Sequence, residues 1–111
     1  MNIEEQALLF SVLADSTRLK LLKLLRQQTK TTALCVNALA FRLGITQSAV
    51  SQHLRILKSA GMVKAERRGY RIHYFISEQA LIRAQEQISV LFNLGNKTVD
   101  RINPGTKNET E

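Results

Sequence analysis

Between Gln47 and Lys58 the polar side chains Gln47, Ser48, Ser51, Gln52, Arg55 and Lys58 fall on helical spacing, while Val50, Leu54 and Leu57 recur at intervals of four and three. That pattern predicts a helix anchored by an aliphatic side and offering amides, hydroxyls and cations on the other. The amides of Gln47 and Gln52 match the donor and acceptor of an adenine edge, Arg55 suits guanine or a phosphate, and Ser48 and Ser51 are short enough for close approach. His53 lies on the same segment, where it is expected to be structural or to face DNA. The chemistry on offer is hydrogen bonding to a nucleic acid.

A second group lies at a turn, where Arg67, Arg68, Tyr70 and Arg71 surround Gly69. A tight turn is exposed and gives these residues no core duty. A basic finger of this kind can follow the phosphate backbone or enter the negative minor groove. The charge of the whole chain supports both groups. From Ser16 to Ile76 there are twelve Lys or Arg residues against one acid, Glu66, although the net charge of the 111 residues is only +7. Such a concentrated positive field attracts a polyanion.

Elements that would position these residues can be read from period and punctuation. An apolar helix is expected from about Glu4 to Leu13, its Ala7, Leu8, Phe10 and Val12 spread widely enough to meet two surfaces. Asp15 is suited to cap a second helix from Ser16, with Leu19, Leu21, Leu22, Leu24 and Leu25 on a broad face and Lys20, Lys23 and Arg26 opposite. A polar connector, Gln27 to Thr32, precedes a short helix from Cys35 to Leu43; Gly44 closes it and Thr46 caps the next, Gln47 to Ala60. After Gly61 the period changes to two, giving strands in which Val63 and Ala65 alternate with Lys64 and Glu66, then Ile72, Tyr74 and Ile76 with Arg71, His73 and Phe75, with Arg68-Gly69 as the turn. A last helix from Glu78 to Leu94 stops at Gly95, and the polar tail from Asn96, with Pro104-Gly105, is expected to be disordered. The fold class is mainly α with a β-hairpin wing: a winged helix-turn-helix domain over 1–95 and a tail over 96–111.

The run from Leu13 to Ile76 resembles the ArsR/SmtB family of winged-helix repressors. The resemblance is carried by Leu13-Ala14-Asp15-Ser16-Thr17-Arg18-Leu19, by Leu39-Ala40 to Leu43-Gly44, by Gln47-Ser48-Ala49-Val50-Ser51-Gln52-His53-Leu54 with Leu57, by Ala60-Gly61-Met62-Val63, and by Arg68-Gly69 to Tyr74. It implies a homodimer built from the first and last helices that places two recognition helices on an inverted repeat in double-stranded DNA. The apolar residues Leu8, Leu81, Ala84, Ile88 and Leu91 agree, offering more surface than one small fold covers. Repression is likewise what the resemblance implies.

Many members of that family release DNA on binding a metal, and the ligands for this are not in place. The family's thiolate pair in the helix before the recognition helix is a Cys-Val-Cys element; here the residues are Cys35-Val36-Asn37. The family's other site, between the paired last helices, uses Asp, His and Glu, whereas Glu78 to Leu94 holds only Glu78 and Glu86. His53 and His73 complete the imidazoles and are read as structural or DNA-facing, so neither a metal nor a cofactor is expected. No ligand set names an inducer. Cys35, the single cysteine, stands near a helix start with Lys30 close in sequence, where a thiol becomes more acidic, so a redox or electrophile switch is an alternative signal.

Other functions are disfavoured by the same residues. There is no Gly-rich phosphate loop, no paired carboxylate in the central segment and no nucleophile–base arrangement, so an enzyme is not expected. No long apolar run spans a membrane, and the acidic start Met1-Asn2-Ile3-Glu4-Glu5 is unlike a signal peptide; a cytoplasmic protein without a membrane partner is expected. The rivals to a sequence-specific regulator are a non-specific or architectural DNA binder, which shares the charge, and a winged-helix protein-interaction module, which would have little affinity for DNA.

Overall fold

A computed structural model describes residues 1–29 and 33–94. Lys30, the end of the polar connector at Thr32, Gly95 and the tail with Pro104 and Gly105 lie outside the described residues. The elements in chain order are α1 (Ile3–Leu13), α2 (Ser16–Gln27), α3 (Val36–Leu43), α4 (Gln47–Ser59), β1 (Val63–Arg68), β2 (Arg71–Ile76) and α5 (Glu78–Leu91). No helix among the described residues is long and apolar enough to cross a membrane.

Local chemistry sets most helix boundaries. α1 starts one residue earlier than expected because Asn2 and Glu5 form a capping box, each side chain accepting the other's backbone N–H at 2.8 and 2.9 Å. Asp15 accepts from Arg18 N–H, Thr46 from Ala49 N–H and Ser77 from Ala80 N–H, starting α2, α4 and α5. Cys35 is the cap residue of α3 rather than its first helical residue, and its side chain makes no capping hydrogen bond. At the other ends, Gly44 (φ 67°) and Gly61 (φ 77°) take the left-handed conformation. Met62 N–H then reaches Leu57 O and Gly61 N–H reaches Lys58 O, the paired bonds of a Schellman stop.

The same device ends α5 sooner than expected. Asn93 takes φ 54°, Leu94 N–H donates to Ser89 O and Asn93 N–H to Val90 O, so the helix stops at Leu91 rather than Leu94. Asparagine tolerates this conformation better than other residues with a Cβ.

The core lies between α2, α3, α4 and the base of the hairpin. Leu21, Leu39, Val50, Leu54, Leu57 and Met62 are fully buried, with Leu9, Leu13, Leu81, Tyr74 and Ile76 packed around them. Each such aliphatic side chain contributes about 1.5–3 kcal/mol of transfer free energy. β1 and β2 pair antiparallel from Val63↔Ile76 to Arg68↔Arg71, so Gly69 and Tyr70 form the turn, one residue beyond the expected Arg68-Gly69. Gly69 (φ 65°) occupies the first central position, where a two-residue II′ hairpin turn needs glycine. Only the base of the hairpin covers the core: Val63 is buried, but Ala65 and Ile72 are exposed. The outer part has left the body of the protein and stands as a wing.

α1 and α5 pack together, and Gln6, buried on α1, donates through Nε2 to Gln87 Oε1 at 2.9 Å. On α5, Leu81 packs against the core and Ala84 is buried within the protomer, while Ile88 and Leu91 are partly exposed. The expected stripe therefore turns partly inward. The exposed large apolar side chains of these two helices and the residue after them are Ile3 and Leu8 on α1, with Ile82, Ile88, Val90, Leu91 and Phe92 at and beyond α5.

Candidate nucleic-acid interface

α4 is held as the sequence pattern requires. Val50, Leu54 and Leu57 are fully buried, and Gln47, Ser48, Ser51, Gln52, Arg55 and Lys58 are all exposed. The turn from α3 delivers this helix without bulk: a Cβ at Gly44 would meet nothing within 4 Å, so glycine is there for its dihedral angles. Thr46 is exposed beside the helix start, with its hydroxyl engaged by Ala49 N–H at 3.0 Å. Gln47 reaches back to α3, its Nε2 donating to Asn37 Oδ1 at 2.9 Å. Asn37 is a site residue missed in the sequence, since no local pattern relates it to α4.

His53 is placed differently from its neighbours on α4. It is half-buried on a flank of the helix, with Nδ1 at 3.3 Å from Arg18 Nη1 and 3.7 Å from Asp15 Oδ2. Its ring thus faces Arg18 and Asp15, unlike the fully exposed polar residues beside it on α4.

On the wing the four expected residues have distinct surroundings. Tyr70 is wholly exposed at the tip. Arg68 pairs with Glu66 at 2.7 Å and lies 5.0 Å over the Phe75 ring, which holds the guanidinium along the wing. Arg67 is exposed, its Nη1 at 3.5 Å from Gly69 O. Arg71 turns toward α3, and its Nη1 lies 3.6 Å from Cys35 Sγ. Cys35, Asn37, Ser51, Tyr70 and Arg71 border one open groove of about 500 Å³ between α3, α4 and the wing.

In this groove two backbone amides and one guanidinium act on the Cys35 thiol. The Ala38 N–H chiefly, then the Asn37 N–H and the Arg71 guanidinium, favour the thiolate and hold the thiol below its ordinary range against the opposing effect of burial. As the thiol closes no capping bond, the α3 amides act on it as aligned dipoles. Its backbone bridges β2 at His73, whose Nδ1 is buried without a hydrogen-bond partner among the described residues. Among the described residues no three His, Cys, Asp or Glu side chains come together in a way that could hold a metal ion. On the rear face, Lys20 and Lys23 are exposed and Arg26 pairs with Glu78 of α5.

Comparison with known proteins agrees with this arrangement. Residues 15–65 match the family described as bacterial regulatory protein, arsR family. The chain is 35% identical over 86 residues to a transcriptional repressor SmtB homolog of Synechocystis sp., covering 78% of this chain and 62% of that protein, so it spans less than two thirds of that relative. It is 36% identical over 91 residues to an HTH-type transcriptional regulator of Methanocaldococcus jannaschii, covering 82% of this chain and 96% of that one. Among solved structures, the homodimeric winged helix-turn-helix DNA-binding domain of a possible ArsR-family regulator from Mycobacterium bovis superposes with TM-score 0.59 at 30% identity, over 97% of this chain and 90% of that one. With the helix–glycine turn–helix, the wing and these likenesses together, the chain belongs to the ArsR/SmtB family of winged helix-turn-helix transcriptional regulators.

Proposed function

We propose that two copies of this chain bind an inverted-repeat operator and repress transcription from it, with no metal in either of the family's usual sites. The observation that carries the reading is α4, whose aliphatic side is fully buried and whose six polar candidates are all exposed. Its Gln52 and Arg55 would read base edges from the major groove, Lys58 and Thr46 would meet phosphates, and Arg67, Tyr70 and Arg71 would follow the flanking minor groove. A twofold dimer separates two such helices by about 34 Å, one turn of DNA.

Selection of bound sequences from random duplex tests this, followed by affinities for the selected and a random duplex across salt concentrations. The expected result is a palindromic consensus bound about 10³-fold or more tighter than random DNA at physiological salt. Equal affinity for both duplexes, with the same salt slope, would instead show an architectural binder. Added zinc or arsenite is expected to leave the operator complex intact.

A second reading concerns the signal and rests on the contact between Arg71 and Cys35. A Michael acceptor such as a maleimide would bond Sγ at its alkene carbon, the C=C π bond opening to an enolate that takes a proton from water, and the neutral thioether would release the Arg71 guanidinium and disturb the wing against α3. Cys35→Ser is then expected to abolish release of DNA by thiol reagents; release that persists in the serine variant sinks this reading.

A further inference from the structure

The orientation of the recognition helix calls for more than its buried aliphatic side. The packing of Val50, Leu54 and Leu57 fixes the buried side of α4, whereas base-edge hydrogen bonds made from the opposite side need placement within about 0.5 Å. Directional bonds on the two flanks of α4 add to this placement. Gln47 bonds Asn37 on one side, and His53 bonds Arg18 on the other.

Arg18 is the more consequential partner because its guanidinium serves three sites at once. Nε donates to Val12 O at 2.6 Å and Nη2 to Ser11 O at 3.3 Å, both carbonyls in the last turn of α1, while Nη1 donates to His53 Nδ1. The cation thereby caps the negative end of α1 and ties it to the flank of α4. Since arginine can only donate, Nδ1 is the acceptor and the ring carries its proton on Nε2. Asp15, bound to Arg18 N–H at 3.0 Å, borders the same ring.

The geometry points to Arg18 and His53 as positioning residues for operator reading: a joint that fixes the angle of α4 to the C-terminal end of α1, with His53 acting through Arg18 and not by touching DNA. This rests on the reading of α4 as the recognition helix. It extends that reading, because α1 carries Leu8 and Ile3 on its open side, so the guanidinium adds a directional tie between that helix and α4 to the apolar core in which Val12 meets the residues of α4.

The test is a double-mutant cycle on the full chain, reading affinity for the selected operator and for random duplex, with dimer mass and helix content checked for each variant. His53→Ala and Arg18→Lys, whose single ammonium cannot serve all three acceptors, are each expected to lower the preference for operator about tenfold with random-duplex affinity unchanged. Together they are expected to lower it no further, because both break one joint. His53→Asn, which puts an amide oxygen where Nδ1 stood, is expected to restore the preference. Additive losses of about a hundredfold in the double variant, or an Asn variant as poor as Ala, would overturn the joint and make His53 a direct contact. So would a fall in random-duplex affinity matching the fall at the operator. A wild-type chain with no preferred sequence refutes the operator reading itself, an outcome visible before any variant is made.

Discussion

Gln52 and Arg55 are three residues apart on one exposed face of α4, and their chemistry separates reading from mere attraction. A side chain that pairs with a base edge discriminates by about 1–3 kcal/mol. Gln52→Ala is therefore expected to weaken operator binding roughly 10- to 100-fold while leaving random DNA unaffected. Lys58→Ala should weaken both alike and reduce the salt slope by about one. Equal losses on both duplexes for Gln52→Ala would remove it from the reading face. Asp15 offers a prediction about stability. The Arg18 backbone N–H first, then the Arg18 guanidinium and the Thr17 N–H, hold its carboxyl below the usual carboxylate range despite some desolvation. Because its folded-state value is depressed, the stability it adds is present above the unfolded value and is lost as pH falls through the folded one. Asp15→Asn keeps a good cap but has no proton to take up. Thermal melts from pH 7 downward should accordingly show a shallower acid limb for the Asn variant; parallel curves would show that Asp15 is not responsible.

At the scale of elements, what was legible in the sequence is what is decided within four residues. Asp15, Thr46, Gly44 and Gly61 were readable as starts and stops because a cap needs only its own helix turn. Thr46→Ala should cost about 1 kcal/mol, and Gly44→Ala, which meets no atom, about 1–2 kcal/mol from its left-handed backbone alone. In chemical denaturation both losses should appear as a lower midpoint at unchanged slope; a Gly44→Ala variant as stable as wild type would mean that the turn had relaxed. Where two local choices compete, the sequence alone does not rank them. Asn93 stopped α5 ahead of Gly95, and Gly69-Tyr70 rather than Arg68-Gly69 made the turn. The exposed face of α4 was legible from its period, but its ties were not. Asn37 meets Gln47 across ten residues and Arg18 meets His53 across 35, and neither contact leaves a periodic trace. The stripe on α5 was visible as a stripe, yet period alone could not say that Leu81 and Ala84 would be used up inside the protomer.

For the whole molecule, the leftover apolar surface locates the proposed partner copy. Leu8 is 68% exposed, Ile88 45% and Val90 68%, and these residues lie on two helices that already pack together at Gln6 and Gln87. A twofold axis through this region would set each such patch against itself and leave both α4 helices free. Since Leu8 and Ile88 contribute little to the protomer's own core, charges there should separate copies without unfolding them. Leu8→Lys combined with Ile88→Asp is expected to sediment as a monomer with wild-type helix content and to melt at a temperature independent of protein concentration, unlike the parent. Each monomer would then meet one half-site alone, without the effective concentration that a linked second site provides, a loss of about 10²–10⁴ in operator affinity. Half-site affinity should be unchanged, because α4 and the wing are intact. A double variant that remains dimeric would move the interface away from α1 and α5, and one that is monomeric yet binds the full operator as tightly as wild type would show that each copy reads DNA independently.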